Sequence, residues 1–102
     1  ELDSAYDYAM KVLMRDVRNV RAWDAVGVTV AAREGTAEGI KIMEEVTERT
    51  HECSLLYMHL GDMYASAGNV EQARKAYQAA IDLSNDGWTS MPALQKKLRK
   101  LK

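Results

Sequence analysis

Apolar side chains recur every three or four residues along most of the chain, in stretches that glycine and polar residues separate. This spacing places the apolar residues on one face of an α-helix. Gly35, Gly68 and Gly87 lie between stretches, where helices commonly end because glycine tolerates a positive φ. The pattern predicts an all-α fold without strands. Its six helices are expected near residues 3–16, 20–33, 36–49, 54–67, 70–83 and 90–101.

Polar residues ahead of three of these stretches are suited to begin a helix. Asn19, Thr36 and Asn69 can each accept hydrogen bonds from backbone N–H groups of a first helical turn. Composition supports the same interpretation, because helix-forming residues are plentiful while the chain has one proline, Pro92, and no phenylalanine. We therefore expect these three residues to cap helices.

Two segments of the chain repeat each other without gaps at a distance of 34 residues. The shared pattern is aromatic-x-x-aliphatic-Gly-x-x-large, followed by small and large residues at helical intervals, which suits closely packed helices. The first copy has Trp23, Val26, Gly27, Val30, Gly39, Met43 and Val46 at these positions, and the second copy has Tyr57, Leu60, Gly61, Tyr64, Ala73, Tyr77 and Ala80.

This pattern resembles the tetratricopeptide repeat family, whose signature of W-x-x-L-G-x-x-Y, A-x-x-x-F and P has the same period. The second copy matches best, with Asn85 where the family often has proline, and the first is degenerate but in register. The resemblance implies a superhelix of stacked antiparallel helix pairs. Its expected parts are the second helix of a partial repeat (1–19), a degenerate repeat (20–53), a strong repeat (54–87) and a closing helix (88–102).

The same register predicts what stands at the two ends of the stack. Ala5, Ala9 and Val12 fall on the second helix of a repeat whose first helix is missing, so we expect the chain to be an excised piece. Leu94 and Leu98 fall where Leu60 and Tyr64 stand, so the last helix is expected to occupy a first-helix position. It has no second helix after it.

The resemblance further implies a concave groove lined by first-helix side chains, where partner segments of this family usually lie. Such a groove is apolar in its middle, acidic at two positions and basic at its C-terminal end, which suits a peptide with apolar anchors and an acidic end. The expected lining is Arg21, Asp24, Val28, Ala31, Leu55, Met58, Asp62, Ala65, Lys96, Arg99 and Lys100.

One ligand known for the family is disfavoured by this lining. Some members clamp the C-terminal carboxylate of chaperones with lysine and asparagine side chains. Asp24 and Val28 stand at the corresponding positions of the first copy, and Met58 and Asp62 repeat the mismatch in the second. We therefore do not expect a chaperone-tail adaptor.

Charge is nearly balanced overall but concentrated at the C-terminus. The 14 basic and 15 acidic residues give a net charge of −1, which argues against a nucleic-acid partner. Five positive charges lie in the last seven residues, Lys96 to Lys102. One interpretation is a solubilising end of the stack, and the other is an anion-binding end. No apolar run is long enough to cross a bilayer, and neither a signal segment nor a membrane partner is expected.

Candidate chemistry is sparse. His51, Cys53 and His59 could suggest a metal site, but two of them lie in a turn and the third on a helix, whereas zinc needs three or four convergent ligands. Cys53 is the single cysteine and cannot form an internal disulfide, so a reducing compartment such as the cytoplasm is favoured. No phosphate loop or nucleophile motif occurs. We expect no cofactor, no metal and no catalytic residue.

Three functional hypotheses follow. The first is a scaffold or adaptor that binds a peptide or helix of another protein in the groove. The second is a self-association module that uses the exposed ends of the stack. The third, an enzyme or metal protein, lacks a polar constellation to support it. The identity of the partner is left open by the sequence.

Overall fold

The fold is known from a computed structural model that describes residues 2–50 and 53–101, with side chains from Tyr6 onward. These residues form six α-helices and no strand, which confirms the all-α prediction. None of the described helices combines the length and apolar character needed to cross a membrane. The helices are α1 (Leu2–Arg15), α2 (Val20–Glu34), α3 (Thr36–Arg49), α4 (Ser54–Ser66), α5 (Val70–Asp82) and α6 (Met91–Lys100), with a 3₁₀ turn at Ser84–Asp86.

Two of the three predicted helix caps are confirmed. Oδ1 of Asn19 accepts a hydrogen bond from the backbone N–H of Ala22 at 3.0 Å, and Oδ1 of Asn69 accepts one from Gln72 at 3.2 Å. The prediction for Thr36 is wrong, because Thr36 is the first residue inside α3 and Gly35 takes the cap position. Gly35 has a φ of 114°, which L side chains rarely adopt, so a single glycine ends α2 and begins α3.

The helices pack as antiparallel pairs that stack on one another. α2 pairs with α3 and α4 pairs with α5, while α1 packs against α2, and α6 packs against α5. Two groups of buried residues form the core, one centred on α3, α4 and α5 and the other between α1 and α2. Trp23 and Ile42 pack against both groups, so the core is continuous along the stack.

The repeated glycines mark the closest approach within each pair. A Cβ atom on Gly27 would lie 2.3 Å from Sδ of Met43, and one on Gly61 would lie 2.6 Å from the ring of Tyr77. These are the same positions of the two copies, with the glycine on the first helix and the large residue on the second. The 34-residue pattern therefore encodes the same contact between paired helices twice.

Candidate functional site

Asp24, predicted to line the groove, is buried and paired with a residue of the next repeat. Nδ1 of His59 lies 2.7 Å and 2.8 Å from the two carboxylate oxygens of Asp24. Asp24 on α2 is 6% exposed, whereas the side chain of His59 on α4 is 28% exposed. The pair therefore joins the first helices of two successive repeats.

The environment of His59 favours the charged imidazole. Burial by itself lowers the pKa of His59, but the hydrogen bond and the negative charge of Asp24 outweigh it, and Asp62 adds to their effect. The positive charge of Lys97 lowers the pKa of His59. The net result is a pKa raised above the ordinary value of 6.5. A protonated His59 forms a charge-assisted hydrogen bond with Asp24.

Asp62, the second acidic residue predicted in the groove, is held by two other helices. Its Oδ1 accepts a hydrogen bond from the hydroxyl of Tyr77 at 2.6 Å and another from Nζ of Lys97 at 3.0 Å. Burial, the hydrogen bond and the charge of Asp62 all raise the pKa of Tyr77. Asp62 therefore connects α4 to its own partner helix α5 and to α6, the next first helix.

The two acidic residues follow one spatial rule. Asp24 and His59 are 35 residues apart, and so are Asp62 and Lys97. Each acid on a first helix thus meets a basic side chain one repeat and one residue further along. The groove prediction did not include His59, Lys97 or Tyr77, although the repeated 35-residue spacing of acid and base was visible in the sequence.

The apolar residues predicted in the groove differ in exposure. Val28 on α2 is 39% exposed. Leu55, Met58 and Ala65 on α4 are half-buried and pack against the main core, so each offers part of its surface to solvent. Ala31 is also half-buried, and its Cβ lies 2.4 Å from the place that a Cβ on Gly39 would take. Ala31 therefore faces α3 closely.

Basic residues surround the two ends of the predicted groove. Lys96, Arg99 and Lys100 are exposed on α6. Arg21, at the start of α2, lies with its guanidinium carbon 5.4 Å from the ring centre of Trp88, which precedes α6. This cation–π contact joins the beginnings of two first helices that are two repeats apart. No pattern in the sequence indicates it.

A carboxylate from the turn after α5 completes the start of α4. Asp86 accepts hydrogen bonds from the backbone N–H and the hydroxyl of Ser54, both at 2.7 Å, and from the backbone N–H of Trp88 at 2.9 Å. Thr89 donates to the hydroxyl of Ser54 at 2.7 Å. Burial raises the pKa of Asp86, but these hydrogen bonds outweigh it and the net pKa is lowered. An anion at a helix N-terminus also interacts favourably with the helix dipole.

Two of the residues considered as metal ligands, Cys53 and His59, lie in different surroundings. Cys53 is buried in the main core, while His59 is engaged with Asp24, and His51 lies outside the described residues. Among the side chains that the structure describes, no three histidine, cysteine or acidic residues converge as metal ligands. The arrangement of charged groups on the first helices is therefore one of paired contacts between neighbouring helices.

The comparisons with known proteins agree with the repeat geometry. A family profile described as a tetratricopeptide repeat-like domain matches residues 26–102, from the middle of α2 to the end of the chain. No curated protein matches the chain in sequence. The matched range contains both glycine contacts, Gly27 with Met43 and Gly61 with Tyr77, that define the paired helices. The chain therefore belongs to the tetratricopeptide repeat-like domain family.

Proposed function

We propose that the chain is a protein-interaction module that binds a peptide or helix of a partner protein across its first helices. Repeats of this family generally mediate protein–protein interactions and typically serve as non-enzymatic scaffolds. We accordingly assign binding rather than catalysis to the domain. The proposed surface consists of the predicted groove residues on α2, α4 and α6.

The observation that carries the proposal is that apolar side chains are exposed on the same helices as charged side chains. Val28 is 39% exposed on α2, and Leu55 and Met58 present part of their side chains on α4. Methionine adapts to partners of different shape because its side chain is unbranched and polarisable. These residues would take the apolar anchors of a partner segment.

Charge on the same helices favours an acidic end of the partner near α6. Asp24 and Asp62 are both engaged by basic or hydroxyl groups of the protein, whereas Lys96, Arg99 and Lys100 are exposed. The acidic side chains are thus partly neutralised within the domain, while the exposed positive charge remains at the C-terminal end. A partner carboxylate there would gain charge-assisted contacts, and such contacts weaken with added salt.

The proposal can be tested by selecting peptides from a random library displayed on phage against the purified chain. We expect the selected peptides to share apolar residues followed by acidic ones. Synthetic versions should bind with an affinity that falls as salt is added, and Val28→Glu should weaken binding about tenfold or more.

Val17→Glu is the matched control, since Val17 is 66% exposed and lies between α1 and α2, outside the proposed surface. It should bind the selected peptides as the unmodified chain does. Equal loss in both variants, or selection of peptides without an acidic end, would argue against the proposal. Circular dichroism of each variant establishes that the helices are retained.

A further inference from the structure

One ring nitrogen of His59 is engaged within the domain, and the other is open to solvent. Nδ1 lies 2.7 Å and 2.8 Å from the two carboxylate oxygens of Asp24, while Nε2 has no hydrogen-bond partner among the described residues. Within the same part of the chain, no buried side-chain nitrogen or oxygen lacks a partner. Nε2 is therefore not buried, in agreement with a side chain that is 28% exposed.

The contact with Asp24 determines which nitrogen carries the proton when the ring of His59 is neutral. A carboxylate accepts hydrogen bonds and cannot donate them, so Nδ1 keeps its proton in both charge states of the ring. The proton that leaves on titration therefore comes from Nε2. The exposed nitrogen is an N–H donor while the ring is charged, and it is an acceptor once the ring is neutral.

The charged groups around His59 are already bonded within the domain. Asp24 on α2 binds Nδ1, and Asp62 on α4 accepts hydrogen bonds from Tyr77 of α5 and Lys97 of α6. Burial and the charge of Lys97 lower the pKa of His59, whereas Asp24 and Asp62 raise it, with a net rise above 6.5. The N–H donor at Nε2 is thus maintained, and neither carboxylate takes it up.

His59 stands on the surface to which we assign partner binding. Leu55 precedes it by four residues on α4 and Asp62 follows it by three, and residues at these spacings share one face of a helix. Leu55 offers part of an apolar side chain to solvent, and Asp62 contacts α6 through Lys97. The exposed Nε2 therefore lies on the face of α4 that joins the apolar residues to the basic helix.

We propose that Nε2–H of His59 donates a hydrogen bond to an oxygen atom of the bound partner segment, so that binding is tightest while the ring is charged. The inference rests on the proposed function, because it names the partner chemistry at the same surface. The oxygen belongs to a carboxylate side chain or to a backbone carbonyl. A neutral ring places the lone pair of Nε2 against that oxygen, and two acceptors repel each other.

The test compares the binding of selected peptides at two pH values. The peptides are selected from the displayed library at about pH 6, and those without histidine are synthesised with acetylated and amidated ends. Their affinity should fall about tenfold or more between about pH 6 and about pH 9, because a hydrogen bond from a charged group is lost. Circular dichroism establishes that the chain is folded at both values.

His59→Asn assigns this effect to one of the two histidines of the chain. The asparagine amide takes the place of Nδ1–H beside Asp24, but it neither titrates nor supplies the outward donor. The variant should bind about tenfold more weakly at the lower pH and should lose the pH dependence. Val46→Ala is the control for reduced stability, since Val46 is buried on α3, outside the proposed surface, and it should keep the pH dependence.

Two further measurements examine the steps of the argument. Nitrogen chemical shifts of the ring, measured by NMR in the free chain, should show that the neutral imidazole carries its proton on Nδ1. Alanine at each acidic position of a peptide in turn separates the two oxygen sources. Loss of the pH dependence at one position identifies a carboxylate, and its retention at all positions identifies a backbone carbonyl.

The outcomes distinguish this inference from the function on which it rests. Peptides that bind the unmodified chain equally well at both pH values, or with a pH dependence that His59→Asn retains, would overturn the inference alone. A neutral ring with its proton on Nε2 would do the same. A library that yields no binding peptide would overturn both.

Discussion

The carboxylate of Asp24 and the imidazole of His59 meet at 2.7 Å although 35 residues separate them. Asp24 is buried on α2, and His59 is partly exposed on α4. A buried carboxylate requires a partner, because an unpaired charge in the interior costs several kcal/mol. The contact therefore makes the packing of two successive repeats depend on the protonation of one histidine.

We predict that this contact makes the domain less stable in mildly alkaline solution. The pKa of His59 in the folded chain lies above its ordinary value of 6.5, so the stabilisation is fully present below that value and is lost as the pH rises through the folded pKa. The free energy of unfolding in urea should be higher at about pH 6 than at about pH 9.

His59→Asn provides the test of cause, because the asparagine amide can donate to Asp24 but does not titrate. The variant should lose most of the difference in unfolding free energy between the two pH values. It should also be less stable than the unmodified chain at about pH 6, by about 2 kcal/mol, since a hydrogen bond between two charged groups is replaced. An unchanged pH dependence in the variant would exclude His59 as its source.

We predict that Asp86→Asn destabilises the domain by about 1–3 kcal/mol at neutral pH, because a charged acceptor of hydrogen bonds from Ser54 and Trp88 is replaced by a neutral one. The net pKa of Asp86 is lowered by these bonds, so its contribution is present above its ordinary pKa and is lost as the pH falls through the folded value. The stability difference between variant and unmodified chain should therefore shrink in acid.

Asp82→Asn is the matched control for this experiment. Asp82 is exposed near the end of α5 and accepts a hydrogen bond from the side chain of Gln78. Its replacement should change the free energy of unfolding by less than about 0.5 kcal/mol. Similar losses from both substitutions would show that general charge, rather than the contact with Ser54, produces the effect.

We predict that Gly61→Ala destabilises the domain although alanine favours helices. The added Cβ would lie 2.6 Å from the ring of Tyr77, which is 3% exposed and held by Asp62, so the α4–α5 pair must move apart. Overpacking of this kind costs about 1–3 kcal/mol, against a gain of about 1 kcal/mol from helix propensity. Thermal or urea unfolding should reveal a net loss.

The same substitution in a Tyr77→Leu background separates the clash from other causes. Leucine is smaller and more flexible than tyrosine, so the added methyl group should cost less there. Ser66→Ala, at an exposed position of α4, should have an effect below about 0.5 kcal/mol. A Gly61→Ala chain that is more stable than the unmodified one would contradict the close approach of the two helices.

The helices and their order follow from the sequence because they depend on local signals. The spacing of apolar residues, the caps Asn19 and Asn69, and the three glycines with positive φ each act within a few residues, and the predicted bounds agree with the structure to within two residues. The failure at Thr36 has a local cause as well. Gly35 supplies both the turn and the cap position, so no residue is left between the helices for a side-chain cap.

The surroundings of the groove residues could be predicted less well, because they depend on neighbouring helices. The register gives the position of Asp24, but it does not show that this side chain is buried or that the imidazole of His59 contacts its carboxylate. Ala31 illustrates the same limit, since its close contact with α3 depends on the absence of a side chain at Gly39. That the groove residues bind a partner protein stays a prediction.

The position of Asp86 affects the order in which the helices of the domain unfold. Asp86, in the segment that leads into α6, accepts a hydrogen bond from the backbone N–H of Ser54. Ser54 is the first residue of α4 and lies 32 residues earlier in the chain. If α6 and its turn detach, α4 loses an acceptor for its first N–H group at the same moment. Fraying at the C-terminal end should therefore spread inward to the strong repeat (54–87). We expect α6, the turn before it and α4 to unfold as one cooperative unit.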